Sequence, residues 1–408
     1  MSHRPWQPCS RGTLASAAWL LALAGCHGGL AAGSSEAGGA VPASGASAPP
    51  SGQPSASPIV ASPPPAAPAA VLATKPAFVP GGVRWIGRVD ASNPAAAKFA
   101  WSASGLAAVV RGSRVSVRLR TDGATSSVFF QPVIDGVEGA RFQVPNGDPQ
   151  VVVLAPSLPP GEHVVELYRE TEGGFGVSTF EGFAEGVVVG APPSSGRLIE
   201  IVGDSISAGY GDLGVEVHPP WDNSCSFSLE TESAYQAYGP VMARALHAEA
   251  SVVARSGWGA YRSGDGDTSH VLGAIYGNTL GTEGGHPWDF RRPADAIVVN
   301  LGTNDMGRGD PGRPFEDAYL ALLRTVRAKN PKAWVFLTIG TMSAEPSLSQ
   351  VRKHLDNVVT KLGDAKVTTV PLETQDATHT GCDYHPNAAE QRRMAGVLGD
   401  AVRAKLGW

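Results

Sequence analysis

The sequence predicts two folded parts of different class. Residues 79–190 read as an all-β, jelly-roll-like sandwich, and residues 197–408 as an α/β domain with a doubly wound parallel sheet and helices on both faces. Three observations support this. Residues 79–190 contain short apolar/polar alternations separated by turn signals, with no run of helical period, the pattern of half-buried strands. From residue 197, short apolar runs alternate with longer amphipathic stretches, the pattern of a parallel sheet whose crossovers are helices. The chain has 408 residues, enough for two cores of ordinary size.

Taken in order, the chain opens with an export signal. Arg4 and Arg11 precede an apolar run over 14–24, too short to span a bilayer. The run ends in Leu23-Ala24-Gly25-Cys26, which resembles the lipobox of bacterial lipoproteins. That resemblance implies cleavage after residue 25 and lipidation of the Cys26 thiol, leaving the protein anchored to the cell envelope without spanning a membrane. An ordinary secreted signal, with Cys26 incidental, is the alternative. Residues 26–78 are mainly Ala, Ser, Gly and Pro. They bury too little apolar surface to offset ordering entropy and read as a disordered tether.

Strands follow at 114–120, where Arg114 to Arg120 alternates strictly, and at 128–134, which Asp135-Gly136 closes with a hairpin signal. Further strands are expected at 150–154, 163–169 and 180–189. This module either supports the second domain by packing or presents a face to carbohydrate. After a linker at 190–196, strands are expected at 198–203, 252–254, 296–301, 333–339 and 366–370. Helices are expected at 233–249, 315–329, 348–362 and 387–406. Right-handed crossovers place all the loops that follow these strands on one edge of the sheet.

The formal net charge is −5 and there is no Lys/Arg cluster, so a nucleic-acid partner has no electrostatic footprint. Four cysteines are present. Cys9 leaves with the signal and Cys26 carries lipid, so Cys225 and Cys382 are expected to pair as a disulfide in an oxidising compartment.

Four segments fall at the strand-end loops: Gly203-Asp204-Ser205, Ser256-Gly257-Trp258-Gly259, Gly302-Thr303-Asn304-Asp305 and Asp383-Tyr384-His385-Pro386. An apolar strand that ends in Gly-Asp-Ser exposes a hydroxyl where α/β sheets bind ligands. In spacing and order the four blocks resemble the SGNH (GDSL-like) hydrolase superfamily. With the preceding β-sandwich, the runs Gly203 to Gly211, Ser256 to Gly259 and Gly381 to Asn387 look most like carbohydrate esterase family 2, whose members remove acetyl groups from polysaccharides. The resemblance covers residues 80–408. It implies Ser205 as nucleophile, His385 as general base, and an oxyanion hole built from the N–H groups of Ser205 and Gly257 and the Asn304 amide. These types suit acyl transfer. A hydroxyl needs an imidazole to take its proton, the oxyanion needs donors fixed in advance, and an Asn amide donates without titrating.

Each block alone has a plainer reading: Asn304 ordering its own loop through an Asx turn, or His385-Pro386 capping the last helix. In the resembled superfamily an Asp commonly lies three residues before the His. Here that position is Cys382, with Asp383 one residue later. Two arrangements stay open, Asp383 as the third member of a triad or a Ser-His dyad whose imidazole is held by a backbone carbonyl; the resemblance to carbohydrate esterase family 2, in which some members work with a dyad, implies the second. Flat apolar faces suit sugar rings, and Tyr210, Trp258 and Trp288 are expected to contact substrate, with Trp221 and Tyr384 as further candidates. A metal site using His379, Cys382 and His385 with Asp383 has ligand-like spacing but needs a reduced Cys382. The chemistry calls for no metal and no cofactor. The expected function is an exported, lipid-anchored serine esterase that removes O-acetyl groups from acetylxylan or a similar polysaccharide. The alternatives are an SGNH lipase, thioesterase or arylesterase, and a non-catalytic surface carbohydrate-binding protein.

Overall fold

The computed structural model describes residues 79–80, 82–214 and 225–408. The export signal, Cys9, Cys26, the Ala/Ser/Gly/Pro tract and Trp221 lie outside the described residues.

The first domain is all-β, and every strand pairing in it is antiparallel. Its main strands are β1 (Gly105–Asp122), β2 (Val128–Ile134), β3 (Glu162–Arg169) and β4 (Val177–Ala191). The expected strand at 114–120 is the second half of β1. That strand pairs through residues 105–111 with β3, and through residues 115–119 with the strand Gln150–Ala155. One long strand therefore serves both halves, and the described strands form a single folded network instead of two separate sheets. Leu106, Ala108, Val110, Val117, Phe130, Val165 and Leu167 fill its core.

The second domain holds a five-stranded parallel sheet of β5 (Leu198–Gly203), β6 (Glu249–Ala254), β7 (Ala296–Asn300), β8 (Trp334–Thr338) and β9 (Val367–Thr369), in the order β6-β5-β7-β8-β9. The chain leaves β5 to one side and returns to β7 on the other, so the order reverses next to β5. In open α/β sheets this switch point is where ligands bind. Period-2 side-chain alternation sends neighbouring residues to opposite faces. Ile201, Val252, Val298 and Phe336 pack with helices α2 (Tyr238–Ala245) and α6 (Ala388–Leu406). Val202, Val253, Val299 and Leu337 pack with α4 (Arg313–Lys329) and α5 (Ser347–Leu362). Two short helices, α1 (Ser205–Ala208) and α3 (Thr303–Met306), follow β5 and β7.

The helix expected at 233–249 is only Tyr238–Ala245. Its first residues are drawn away by Glu170 of the β-domain, which accepts from the Ser233 hydroxyl at 3.0 Å and from Tyr235 N at 2.8 Å. Its end is cut by His247 at φ 49° and by Glu249, already paired with Leu198 in the sheet. The two domains are fused by buried contacts. Arg88 of the β-domain donates to Glu200 of β5 at 3.1 Å and to the Asn278 carbonyl at 3.0 Å.

Candidate active site

The site is built on one row of the sheet. Gly203 pairs with Ala254 on one side and with Asn300 on the other, so β5, β6 and β7 end level. Adjacent strands lie about 4.8 Å apart, which makes their following loops neighbours. Asp204 caps α1 through its carboxylate, accepting from Ile206 N at 3.1 Å. That cap sets Ser205 in the first turn, where a backbone N–H has no intrahelical partner. Burial lifts the Asp204 carboxyl to about 7.

His385 arrives from the segment before α6. Its Nε2 lies 2.7 Å from Ser205 Oγ. Its Nδ1 lies 2.9 Å from the backbone carbonyl of Asp383, an acceptor that fixes Nδ1 as the protonated nitrogen and leaves Nε2 free to accept from the hydroxyl. Burial, opposed by the neighbouring Asp383, lowers the imidazole to about 4, so the ring is neutral at ordinary pH.

The Asp383 side chain faces elsewhere. One of its oxygens, Oδ2, accepts both from the Tyr210 hydroxyl at 3.0 Å and from Phe227 N at 3.1 Å. Of the two arrangements open for Asp383, the geometry is therefore the one in which a backbone carbonyl, its own, holds the imidazole, while its carboxylate does not face the ring. The physical reason is backbone geometry: Asp383 and Tyr384 have φ of 48° and 62°, a left-handed step that turns the carbonyl towards the ring. The step is tied down on several sides. Cys382 N donates to Gly211 O at 3.0 Å, Asp383 N to Cys225 O at 2.9 Å, and Gly381 N to His385 O at 2.6 Å. Cys225 and Cys382 form a disulfide with Cα atoms 4.5 Å apart, pinning the segment at 225–227 to the one that carries His385.

On the opposite side of Ser205, the Asn304 amide spans two loops. Its Nδ2 lies 3.3 Å from Asp204 Oδ2 and 3.2 Å from the Trp258 carbonyl, between the residue before Ser205 and the residue after Gly257. Gly257 has φ 79° and open space where a Cβ would stand, and its N–H has no hydrogen-bond partner among the described residues. Asp305 was not singled out in the sequence. Its carboxylate accepts from Ala260 N at 3.0 Å, Tyr261 N at 2.8 Å and Arg262 N at 3.0 Å, clamping the loop that bears Gly257 to the helix that bears Asn304. Its place next to Asn304 in Gly-Thr-Asn-Asp was the available signal.

The aromatic expectations divide. Trp258 is half-buried in the loop after β6, directly after Gly257, and stacks on His270 with ring centres 5.0 Å apart. Tyr210 is not an open sugar platform. Its ring stacks on Phe227 at 3.8 Å, lies 4.3 Å from the imidazole, and its hydroxyl is given to Asp383, so it braces the His385 segment. Trp288 lies at the wrong end of the sheet for contact with the Ser205 site. It lines a cavity of about 490 Å³ with Leu198, Glu200 and Glu249, at the starts of β5 and β6, because the long β6–β7 connection runs back under the β-domain. Tyr384 is half-buried, and its carbonyl accepts from Gln375 Nε2 at 2.9 Å. The ligands of the metal reading are otherwise engaged, with Cys382 in the disulfide and His379 Nδ1 2.8 Å from Asp376.

Two family models match the chain, one described as carbohydrate esterase 2 N-terminal over residues 85–193 and one as GDSL-like lipase/acylhydrolase family over residues 201–393. Among curated proteins, cellulase/esterase CelE of Acetivibrio thermocellus is 33% identical over 335 residues, 80% of this chain and 40% of that protein. The chain therefore spans less than half the length of that relative. An acetylxylan esterase/glucomannan deacetylase of Cellvibrio japonicus is 26% identical over 337 residues, 80% of this chain and 89% of that one. Among solved structures, a family two carbohydrate esterase from Clostridium thermocellum in complex with cellohexaose is similar with a TM-score of 0.75 at 32% identity, covering 80% of this chain and 100% of the other. The acetyl xylan esterase Est2A from Butyrivibrio proteoclasticus has a TM-score of 0.71 at 25% identity, covering 80% and 96%.

Proposed function

The chain belongs to carbohydrate esterase family 2, and from that premise we propose that it removes O-acetyl groups from a polysaccharide through an acetyl-serine intermediate. The observation that carries this reading is the 2.7 Å contact between Ser205 Oγ and His385 Nε2. As Ser205 Oγ attacks the acetyl carbonyl, its proton passes to Nε2 and the carbonyl oxygen becomes an oxyanion. The Ser205 and Gly257 N–H groups and the Asn304 amide receive that charge. For this, the Asn304 N–H turns from its long contact with Asp204 or Trp258 towards the oxygen. The Asp383 carbonyl holds the imidazolium in place. Collapse breaks the bond to the sugar oxygen, which takes the proton from Nε2 and leaves as the hydroxyl. Water then repeats the sequence at acetyl-Ser205, giving acetate and free enzyme.

Supporting a polysaccharide substrate are the name of the Cellvibrio japonicus relative, an acetylxylan esterase/glucomannan deacetylase, and Trp258 in the loop that bears Gly257. We also propose export and anchoring through Cys26, on the outer side of a membrane of the cell envelope; the N-terminal apolar run and Leu23-Ala24-Gly25-Cys26 support this reading. The test is acetate release from acetylated xylan and acetylated glucomannan by the wild type and by Ser205→Ala. The expected result is turnover by the wild type and a fall of at least about 10³-fold in the variant. Preference for long-chain 4-nitrophenyl esters over the acetylated glycans would show a lipase-type enzyme instead. Glycan binding without acetate release would show a binding protein.

A further inference from the structure

The loop between β3 and β4, Glu170-Thr171-Glu172-Gly173-Gly174-Phe175-Gly176, belongs to the β-domain by sequence yet ends inside the catalytic domain. It is wound around the buried Arg169 guanidinium, which donates to the carbonyls of Thr171 at 2.7 Å, Glu172 at 3.3 Å, Phe175 at 3.3 Å and Gly176 at 2.9 Å. From the other side Glu283 Oε1 accepts from Gly174 N at 2.9 Å and from Gly176 N at 3.2 Å. The loop's polar backbone groups are thus satisfied from both sides, as buried backbone requires.

What this arm delivers is Glu172, which is 1% exposed. Its Oε2 accepts from the Ser256 N–H at 2.7 Å, and its Oε1 lies 3.2 Å from Arg255 Nη1. Gly174 lies close enough that a Cβ would stand 2.8 Å from the Arg255 guanidinium carbon, so the arm and Arg255 are in contact. The residue after Ser256 is Gly257, whose N–H is the oxyanion donor of the esterase reading. Its peptide is bracketed by fixed groups. Ser256 N is held by Glu172, the Gly257 carbonyl accepts from Gly264 N at 2.9 Å, and Arg255 N is bound to Gly203 O at 3.1 Å.

We propose that Glu172, supplied by the β-domain, is a positioning residue for the oxyanion hole: by holding the Ser256 N–H it sets the direction of the Gly257 N–H. Hydrogen bonds to an ionised acceptor are about twice as strong as neutral ones, and a glycine at φ 79° has wide backbone freedom that some contact must remove. The Arg255 guanidinium balances the carboxylate, so the arm orients a donor without placing an uncompensated negative charge beside the oxyanion. The β-domain is on this view part of the catalytic apparatus, and not only a support or a sugar-contacting module.

The proposal rests on the esterase reading, and the experiment separates the two. Kinetics on 4-nitrophenyl acetate are measured for the wild type, Glu172→Gln and Glu172→Ala, together with the rate at which ethyl 4-nitrophenyl methylphosphonate, which mimics the tetrahedral intermediate, labels Ser205. Glu172→Gln keeps the volume and one acceptor oxygen, and carries the test if Glu172→Ala does not fold. The expected result is a kcat lower by about 10-fold in Gln and about 100-fold in Ala, part of the loss seen when an oxyanion donor is removed. KM should stay within about twofold, and the phosphonylation rate should fall in proportion to kcat. An unchanged kcat in Glu172→Gln, or a kcat loss with normal phosphonylation, overturns the proposal while leaving the esterase reading intact. A wild type that cleaves no acetyl ester overturns both.

Discussion

Replacing Asp383 by Asn separates two ways of holding the imidazole. In this protein the ring is held by the Asp383 carbonyl at 2.9 Å, while the carboxylate serves Tyr210 and Phe227. Both of those donors reach the same oxygen, Oδ2, so an Asn side chain with its carbonyl oxygen in that place keeps both bonds. Asn also tolerates the left-handed φ of 48° better than most residues. Only the charge is lost. A bond to a charged acceptor contributes about 1 kcal/mol more than a neutral one, so two bonds amount to about 2 kcal/mol of local stability. If half of that reaches the transition state, kcat falls about fivefold. Were the carboxylate itself the partner of His385 Nδ1–H, Asn would impose the wrong tautomer at a cost of about 10⁴ in kcat. The assay is kcat on 4-nitrophenyl acetate, with thermal unfolding of the same samples. A folded Asp383→Asn protein with a loss approaching 10⁴ would refute the dyad.

Further outcomes follow from the same geometry. Because burial lowers His385 to about 4, kcat/KM should hold down to mildly acidic pH and fall only as pH drops through about 4; an acid limb near the ordinary histidine value of about 6.5 would contradict the buried, neutral ring. The same depression makes the unfolded state the better proton binder, so His385 lowers folding stability progressively as pH falls from about 6.5 to about 4. The Cys225–Cys382 disulfide closes a loop with a sequence separation of 157, worth about 5 kcal/mol in the chain-entropy model. Cys225→Ser/Cys382→Ser should therefore unfold at lower urea and lose kcat, since Asp383 N is bonded to Cys225 O; full activity with unchanged stability would dismiss the strut. Trp258→Ala should raise KM on acetylated xylan more than on 4-nitrophenyl acetate, whereas Trp288→Ala, at the other end of the sheet, should leave both unchanged.

Local signals in the sequence carried most of the fold and the centre of the site. Apolar runs bounded by Gly located β5, β7 and β8 within a residue or two, because a strand buried on both faces has few alternatives to an unbroken apolar run. Parallel strands joined by right-handed crossovers then sent Ser205, Gly257 and Asn304 to one edge. The helix at 233–249 was misjudged because Glu170, from another domain, outcompetes the helical bonds of Ser233 and Tyr235.

What the sequence indicated by itself was therefore the class of each domain and the sheet edge where Ser205, Gly257 and Asn304 meet, through periodicity and motifs whose residues are neighbours in the chain, and, through its resemblance to carbohydrate esterase family 2, the candidates for nucleophile, base and donors. Tertiary structure alone decided that the Asp383 carbonyl and not its carboxylate faces the imidazole, that Tyr210 is a brace, that Trp288 sits at the far end of the sheet, and that the β-domain reaches the loop that bears Gly257. Each of these depends on a φ angle or a contact imposed by residues distant in sequence: Gly211 and Cys225 on the His385 segment, Glu172 on Ser256, Arg88 beside Trp288. No local pattern encodes such contacts, because they arise only when separate elements compete for the same buried hydrogen-bonding groups.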